Sequence, residues 1–190
     1  MPPELSDQHV AAICRVLIDH GVQFVIIGGM AARLHDTGHA TVDVDICPST
    51  DDSNLTRLAA ALSELGARLR VSGDPEGVPF EPHADMLRQV ELMTLITEHG
   101  PLDLCFIPDG FPGGYVSLSE HASVVEIASV DVPVASWRMS SHPSGRRADR
   151  RTSLRSHLSK LAFDAREGRA SPRRVRGKSA RGPLRTRNDR

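Results

Sequence analysis

Two aspartates, Asp43 and Asp45, have the side-chain type and spacing best suited to chemistry in this sequence. They lie in residues 41–46, where β-branched and acidic residues alternate, and this pattern predicts a strand with both carboxylates on one face. Two carboxylates on one face raise each other's pKa unless a cation lies between them. Mg²⁺ takes such oxygen ligands, usually one or two carboxylates together with substrate phosphates. The pair therefore indicates a site for a divalent cation.

Two glycines precede this pair and add a turn that could bind phosphate. Gly28 and Gly29 end the apolar run 25–27, which predicts a buried strand that turns sharply into a helix. The backbone N–H groups of such a turn can meet phosphate. A third acidic residue, Asp103, lies in the apolar stretch 102–107, where a carboxylate is costly to bury unless it faces a site or a cation. The combination predicts chemistry on a nucleoside triphosphate, although an alternating acidic pair alone equally suits an exposed strand face.

Residues 25–46 resemble the minimal nucleotidyltransferase (polymerase-β-like) superfamily, whose pattern is a hydrophobic strand, G-[GS], a helix and then D-x-[DE]. The sequence is most similar to the toxin branch of abortive-infection type (AbiEii-like, MenT-like), with I-G-G-x-A followed by T-x-D-x-D-I. The resemblance spans roughly residues 5–135 and implies an α/β (or α+β) fold with a mixed sheet flanked by helices. It implies three catalytic, metal-binding aspartates, Asp43, Asp45 and Asp103, and three nucleotide-binding residues, Gly28, Gly29 and Thr41.

The same resemblance implies the reaction and the partners. A nucleoside monophosphate would pass from a nucleoside triphosphate to an acceptor, a tRNA end or a protein hydroxyl, with two Mg²⁺ ions bridging the attacking and leaving oxygens. The biology implied is that of a toxin restrained by a cognate antitoxin protein. Two alternatives are a catalytically impaired remnant of this fold and an RNA-binding protein that acts through an Arg-rich tail. The RNA-binding alternative is disfavoured, because aromatic residues for base stacking are nearly absent after Trp137.

The composition fits one globular domain in a reducing compartment. The chain has 190 residues, of which 39% are hydrophobic and 4% aromatic, so its core must consist mainly of aliphatic side chains. It has no apolar run long enough to span a membrane and no signal-peptide pattern at its start, which favours a cytoplasmic location without a membrane partner. Cys14, Cys47 and Cys105 lie far apart in apolar contexts, as expected of free thiols.

The charge distribution divides the chain between residues 136 and 137. Residues 1–136 contain six Arg, no Lys and twenty acidic residues, whereas residues 137–190 contain seventeen basic and four acidic residues. The net charge of −1 hides this asymmetry, which is typical of a globular body with a basic tail. We therefore predict a nucleotidyltransferase-like domain over 1–136 and a basic, low-complexity, disordered tail over 137–190.

The tail also differs from the family that the body resembles. In that family a helical tail follows the last strand, with the pattern L-x-D-h-I-x-S-K-x-A-A-G-R-x-K-D, and its first Lys contacts the triphosphate. Residues 137–190 contain no such motif. We reverse-translated Ser136 to Leu161 and shifted the reading frame by one base. With synonymous codons chosen to suit the family pattern, the shifted frame gives L-A-D-V-I-A-S-K-R-A-A-G-R-P-K-D-L-A-S-L-P-P-L-E-A. We hypothesise that residues 137–190 are read out of frame, through a frameshift mutation or a sequencing error.

Hydrophobic periodicity and turn residues predict the elements that must position the site. Ser6 caps a helix through His20, a short helix covers residues 30–35, and a further helix ends before Gly66. The predicted strands are 22–27, 41–47, 68–71, 90–97, 102–107, 124–128 and 132–135. Residues 72–83, rich in Gly, Pro and acidic residues, are predicted to form a loop.

Overall fold

The structure, a computed structural model, describes residues 5–35 and 41–136. In these ranges five helices and eight strands follow one another along the chain. The helices are α1 (Asp7–Asp19), α2 (Gly28–Leu34), α3 (Asp52–Glu64), α4 (Ala84–Leu87) and α5 (Gly114–Ser119). The strands are β1 (Phe24–Ile27), β2 (Val44–Pro48), β3 (Arg68–Val71), β4 (Asp74–Pro79), β5 (Leu92–Thr97), β6 (Gly100–Cys105), β7 (Ser123–Ile127) and β8 (Val130–Val134). The predicted tail, residues 137–190, lies outside the described residues.

All eight of these strands join one mixed sheet in the order β4-β3-β5-β6-β2-β1-β8-β7. Strand β2 is central to it, because it pairs antiparallel with β1 and parallel with β6. Strand β1 in turn pairs parallel with β8. Helices flank the sheet, so the predicted α/β class with a mixed sheet is confirmed. Within residues 5–35 and 41–136, no helix has the length and apolar character needed to cross a membrane.

The main core lies on one face of this sheet and is built from aliphatic side chains, as the composition predicts. Helix α1 begins after Ser6, whose side chain accepts a hydrogen bond from the backbone N–H of His9. Its core-facing residues Val10, Ile13 and Leu17 are fully buried. Ile18, next to Leu17, is in contrast 39% exposed. Strand residues that face this core include Ile26, Val44, Ile46, Leu95, Leu102 and Leu104.

The opposite face of the sheet carries a smaller apolar cluster beneath α5. This cluster consists of Val25, Cys47, Leu118 and Ala135, with Phe111 and Tyr115 packed against it. Val25 and Cys47 are register partners on β1 and β2. Because side chains alternate along a strand, Asp45 and Ile27 share this second face with them. Helix α5 therefore covers the second face beside the position of Asp45.

A buried amide fixes the chain where β1 begins and β2 ends. Asn54, at the start of α3, accepts a hydrogen bond from the Gln23 N–H at 2.7 Å and donates to the Gln23 carbonyl at 3.0 Å. It also donates to the Ser49 carbonyl at 2.9 Å. Asn54 is completely buried, so satisfying its polar atoms in this way is what makes its burial tolerable.

Several predicted boundaries are wrong for local reasons. Residues 72–83 do not form a continuous loop, since they contain β4. This strand lies at the edge of the sheet, where proline and glycine are tolerated because one side needs no ladder hydrogen bonds. Helices α4 and α5 were not predicted, because four and six residues are too few to show helical periodicity. Strand β2 begins at Val44, so Asp43 immediately precedes the strand instead of lying in it.

Candidate active site

Asp45 and Asp103 lie side by side on neighbouring parallel strands. They are register partners in the pairing of β2 with β6, and their flanking residues Val44, Ile46, Leu102 and Leu104 point into the main core. Alternation therefore directs both carboxylates to the second face of the sheet. Asp45 is 7% exposed and Asp103 is 1% exposed. Two acidic side chains at such depth require compensating partners.

Asp43 reaches the same site from the segment before β2. The Thr41 hydroxyl lies 3.1 Å from Oδ1 of Asp43 and 3.1 Å from its backbone carbonyl oxygen, and can donate to either. The Asp43 side chain is 20% exposed, so it is the most accessible of the three predicted carboxylates. Thr41 is buried and holds the accessible carboxylate in place.

The glycine turn closes directly over these residues. Gly28 follows β1, begins α2 and has a φ of +65°, a left-handed conformation that favours glycine. A Cβ atom on Gly28 would lie 2.4 Å from Oδ2 of Asp45, and one on Gly29 would lie 3.2 Å from Oγ1 of Thr41. The structure thus brings five of the predicted residues into contact, and Asp103 joins them through the strand pairing.

Arg70, on β3, is a site residue that the sequence did not reveal. Its Nη2 donates to Oδ1 of Asp103 at 2.9 Å and to Oδ2 at 3.1 Å, and lies 3.9 Å from Oδ2 of Asp43. The alternation around buried Leu69 could have placed Arg70 on the face opposite the core. Its partner could not have been found in this way, because β5 lies between β3 and β6 in the sheet.

The strand pairing arranges these groups in a row across the second face. Thr94 of β5 pairs with Asp103, Asp103 pairs with Asp45, and Asp45 pairs with Ile27 next to the glycine turn. Arg70 lies at the far end of this row, one residue beyond the Leu69–Leu95 pair. The site is thus built on β3, β5, β6 and β2, which are adjacent in the sheet, and on the turn after β1, and these elements fix its groups rigidly.

The donor chemistry of this site fits Mg²⁺. Its three carboxylates are hard oxygen donors, the type that Mg²⁺ prefers. Among residues 5–35 and 41–136, no three His, Cys, Asp or Glu side chains are grouped in a way that could already hold a metal ion. A cationic nitrogen, Nη2 of Arg70, instead lies between Asp43 and Asp103. The residues are therefore suited to a cation, and a protein cation is already present among them.

A cysteine next to the site is not suited to nucleophilic chemistry. Cys47 lies two residues after Asp45, and burial raises the pKa of its thiol to about 12. Its Sγ donates to the Phe106 carbonyl oxygen at 3.8 Å. The thiol is therefore protonated at neutral pH, and covalent catalysis through this residue is not favoured.

Comparison with known proteins supports the nucleotidyltransferase fold. No protein-family model matches the sequence, and no curated protein matches it. The fold itself is that of the nucleotidyltransferases. The lincosamide antibiotic adenylyltransferase LnuA is 16% identical over 84% of this chain and 99% of its own, with a TM-score of 0.50. At that identity the similarity shows the fold alone.

Two further solved structures align less closely. One is ANT(2'')-Ia in complex with adenylyl-2''-tobramycin, with 17% identity over 87% of this chain and 98% of that chain and a TM-score of 0.42. The other is an antigenic nucleotidyltransferase-like protein from Paracoccidioides brasiliensis, with 19% identity over 85% and 79% of the two chains and a TM-score of 0.45.

Proposed function

We propose that this protein is a Mg²⁺-dependent nucleotidyltransferase that moves a nucleoside monophosphate from a nucleoside triphosphate to an acceptor hydroxyl. The observation that carries the proposal is the contact between the glycine turn and the aspartate pair across β2 and β6. Gly28 lies against Asp45, which is the register partner of Asp103. An acidic pair on adjacent strands beside a turn whose backbone N–H groups can meet phosphate is the combination that a metal-bound triphosphate requires.

Each predicted residue has a role in this proposal. Asp43 and Asp45 would hold the metal ions, which supply charge neutralisation at the phosphates when bound. Asp103 is the third carboxylate of the set. Thr41 keeps Asp43 oriented, the absence of side chains at Gly28 and Gly29 lets Asp45 and Thr41 pack against the turn, and the backbone N–H groups of the turn would meet the nucleotide phosphates.

The proposed reaction exchanges one bond for another. The acceptor hydroxyl oxygen forms a bond to the α-phosphorus, the α–β phosphoanhydride bond breaks, and pyrophosphate leaves with the bonding electron pair. The hydroxyl proton passes to a basic group, for which the site offers three carboxylates. Catalysis then rests mainly on positioning and charge compensation, which the rigid row of strands is well suited to provide.

The proposed acceptor is a tRNA end or a protein hydroxyl, and the proposed biology is that of a toxin with a cognate antitoxin. Support comes from the resemblance of residues 25–46 to the abortive-infection branch. The charge of the body bears on this choice, because twenty acidic residues against six Arg in residues 1–136 repel RNA phosphates. The basic residues after position 136 would have to offset that repulsion for a tRNA acceptor. The name of LnuA indicates a small-molecule acceptor for that protein. A small molecule is therefore the third class of acceptor to test, beside tRNA and protein.

The proposal is tested by incubating the protein with Mg²⁺ and each nucleoside triphosphate labelled at the α-phosphate. Total tRNA, a protein extract and lincosamide or aminoglycoside antibiotics serve as acceptors in parallel. Asp43→Asn and Asp45→Asn keep the side-chain shape and remove the charge, and we expect each to reduce labelling by about a thousandfold or more. Asp131→Asn, an exposed substitution on β8, is the matched control and should leave labelling unchanged. Equal labelling by the site variants and the wild type would contradict the assignment.

A further inference from the structure

Arg70 contacts the aspartates of the site through one nitrogen, Nη2. Nη2 bridges the two oxygens of Asp103 at 2.9 and 3.1 Å and lies 3.9 Å from Asp43. The Asp103 side chain is 2% exposed, whereas that of Arg70 is 31% exposed. A single positively charged nitrogen therefore lies close to the carboxylates of both Asp103 and Asp43.

The electrostatics of this contact are strong because Asp103 is buried. A carboxylate at this depth is destabilised unless a cation or several donors accompany it. A guanidinium within hydrogen-bonding distance stabilises the ionised carboxylate by a charge-assisted hydrogen bond. The same field opposes the approach of a second cation.

We propose that Arg70 is a positioning residue that holds Asp103 and Asp43 in the metal-free protein, and that a divalent cation binds there in competition with it. The proposal rests on the metal site of the proposed function, but not on the identity of the nucleotide or the acceptor. It explains how the buried carboxylate of Asp103 and the neighbouring carboxylate of Asp43 are compensated by a cation of this chain. It also makes Arg70 a determinant of metal affinity.

The experiment measures Mn²⁺ binding to the full chain without nucleotide, from the electron paramagnetic resonance signal of the free ion. Arg70→Gln should bind Mn²⁺ about tenfold more tightly than the wild type, because the competing charge is gone. Arg70→Lys should retain an affinity close to the wild type, because a single nitrogen makes the contacts. Arg68→Gln is the matched control. It lies on the same strand, but its side chain donates to the carbonyl groups of Glu76 and Gly77, and its affinity should be unchanged.

Thermal unfolding gives an independent readout. Without metal, Arg70→Gln should unfold at a lower temperature than the wild type, because Asp103 loses its ion pair with Arg70. Added Mn²⁺ should raise the unfolding temperature of Arg70→Gln by more than that of the wild type, since a ligand that binds more tightly stabilises the folded state more.

Weaker or unchanged Mn²⁺ binding by Arg70→Gln would overturn the proposal, and so would a gain of equal size in Arg70→Lys. Absence of Mn²⁺ binding in every variant would overturn it as well. Should Arg70→Gln fail to fold, Arg70→Met, which removes the charge and keeps an unbranched side chain, takes its place in both measurements with the same expectations. Nucleotide labelling is a separate measurement, so a failure of the proposed reaction is distinguishable from a failure of this inference.

Discussion

A methyl group on Gly28 would lie 2.4 Å from Oδ2 of Asp45, well inside van der Waals contact. The glycine turn and the buried aspartate are therefore fitted to each other. Gly28 also has a φ of +65°, which ordinary residues adopt at a cost of about 1–2 kcal/mol. Both properties make Gly28 a sensitive point at which to test the site.

We expect Gly28→Ala to abolish nucleotide labelling, because Asp45 must move to admit the methyl group. The variant should also lose about 1–3 kcal/mol of unfolding free energy from overpacking, in addition to the backbone strain. Gly73→Ala separates the two effects, since Gly73 has a φ of +87° and nothing within 4 Å of its added Cβ. Denaturant unfolding should show a smaller loss for Gly73→Ala, and its labelling should be retained. Full labelling by Gly28→Ala would show that Asp45 has no part in the reaction.

Thr41→Val tests whether the hydroxyl positions Asp43. The side-chain shape is kept, and one hydrogen bond of about 1 kcal/mol is lost. We expect labelling to fall about tenfold, because a tenfold change in rate corresponds to a similar free energy at the transition state. Thr41→Ser should restore the labelling. Thr56→Val is the control, because Thr56 donates to the Asp52 carbonyl on the exposed surface of α3. Equal labelling by Thr41→Val and Thr56→Val would exclude the positioning role.

The three cysteines should differ sharply in alkylation. Burial raises the pKa of Cys14 and Cys47 from 9.0 to about 12, so their thiolate fraction at pH 8 is about a thousandfold below that of an exposed thiol. Cys105 is half-buried and should react first with iodoacetamide, as mass spectrometry would show. Since a raised thiol pKa means less thiolate at a given pH, labelling of Cys14 and Cys47 should accelerate with increasing pH up to about 12. Equal rates for all three in the native protein would contradict this burial.

The frameshift hypothesis makes a prediction at the level of DNA. The gene around the codon for Ser136 should encode, in the shifted frame, the helical tail with its S-K-x-A-A-G-R motif. A chain restored to that frame should label acceptors faster, because the motif's Lys would balance charge on the transferred phosphoryl group. If the shifted frame encodes another peptide, the hypothesis is wrong. If the present chain binds the triphosphate without turnover, it is the impaired remnant.

Much of the site could be predicted because its residues lie close together in sequence. Gly28, Gly29, Thr41, Asp43 and Asp45 belong to one strand–helix–strand segment, so local periodicity and turn chemistry were enough. Asp103 was predicted because an isolated carboxylate in an apolar strand is unusual. Their catalytic roles stay predictions until the variants are measured.

Arg70 could not be assigned in this way, because its contact with Asp103 depends on the order of strands in the sheet. The order places β5 between β3 and β6, and no local pattern encodes it. Strand β4 was missed for a different reason. Its sequence, with two prolines and a glycine, has the composition of a turn, and only an edge position makes it a strand.

The most direct test of nucleotidyl transfer compares two labels on the same triphosphate, one on the α-phosphate and one on the γ-phosphate. We predict that the wild-type protein with Mg²⁺ transfers the α label to an acceptor and releases the γ label in pyrophosphate, and that the protein does neither when Asp45 is replaced by Asn. Transfer of the γ label to the acceptor would indicate phosphoryl transfer and contradict the account. Transfer of the α label that is unaffected by Asp45→Asn would place the reaction elsewhere in the molecule.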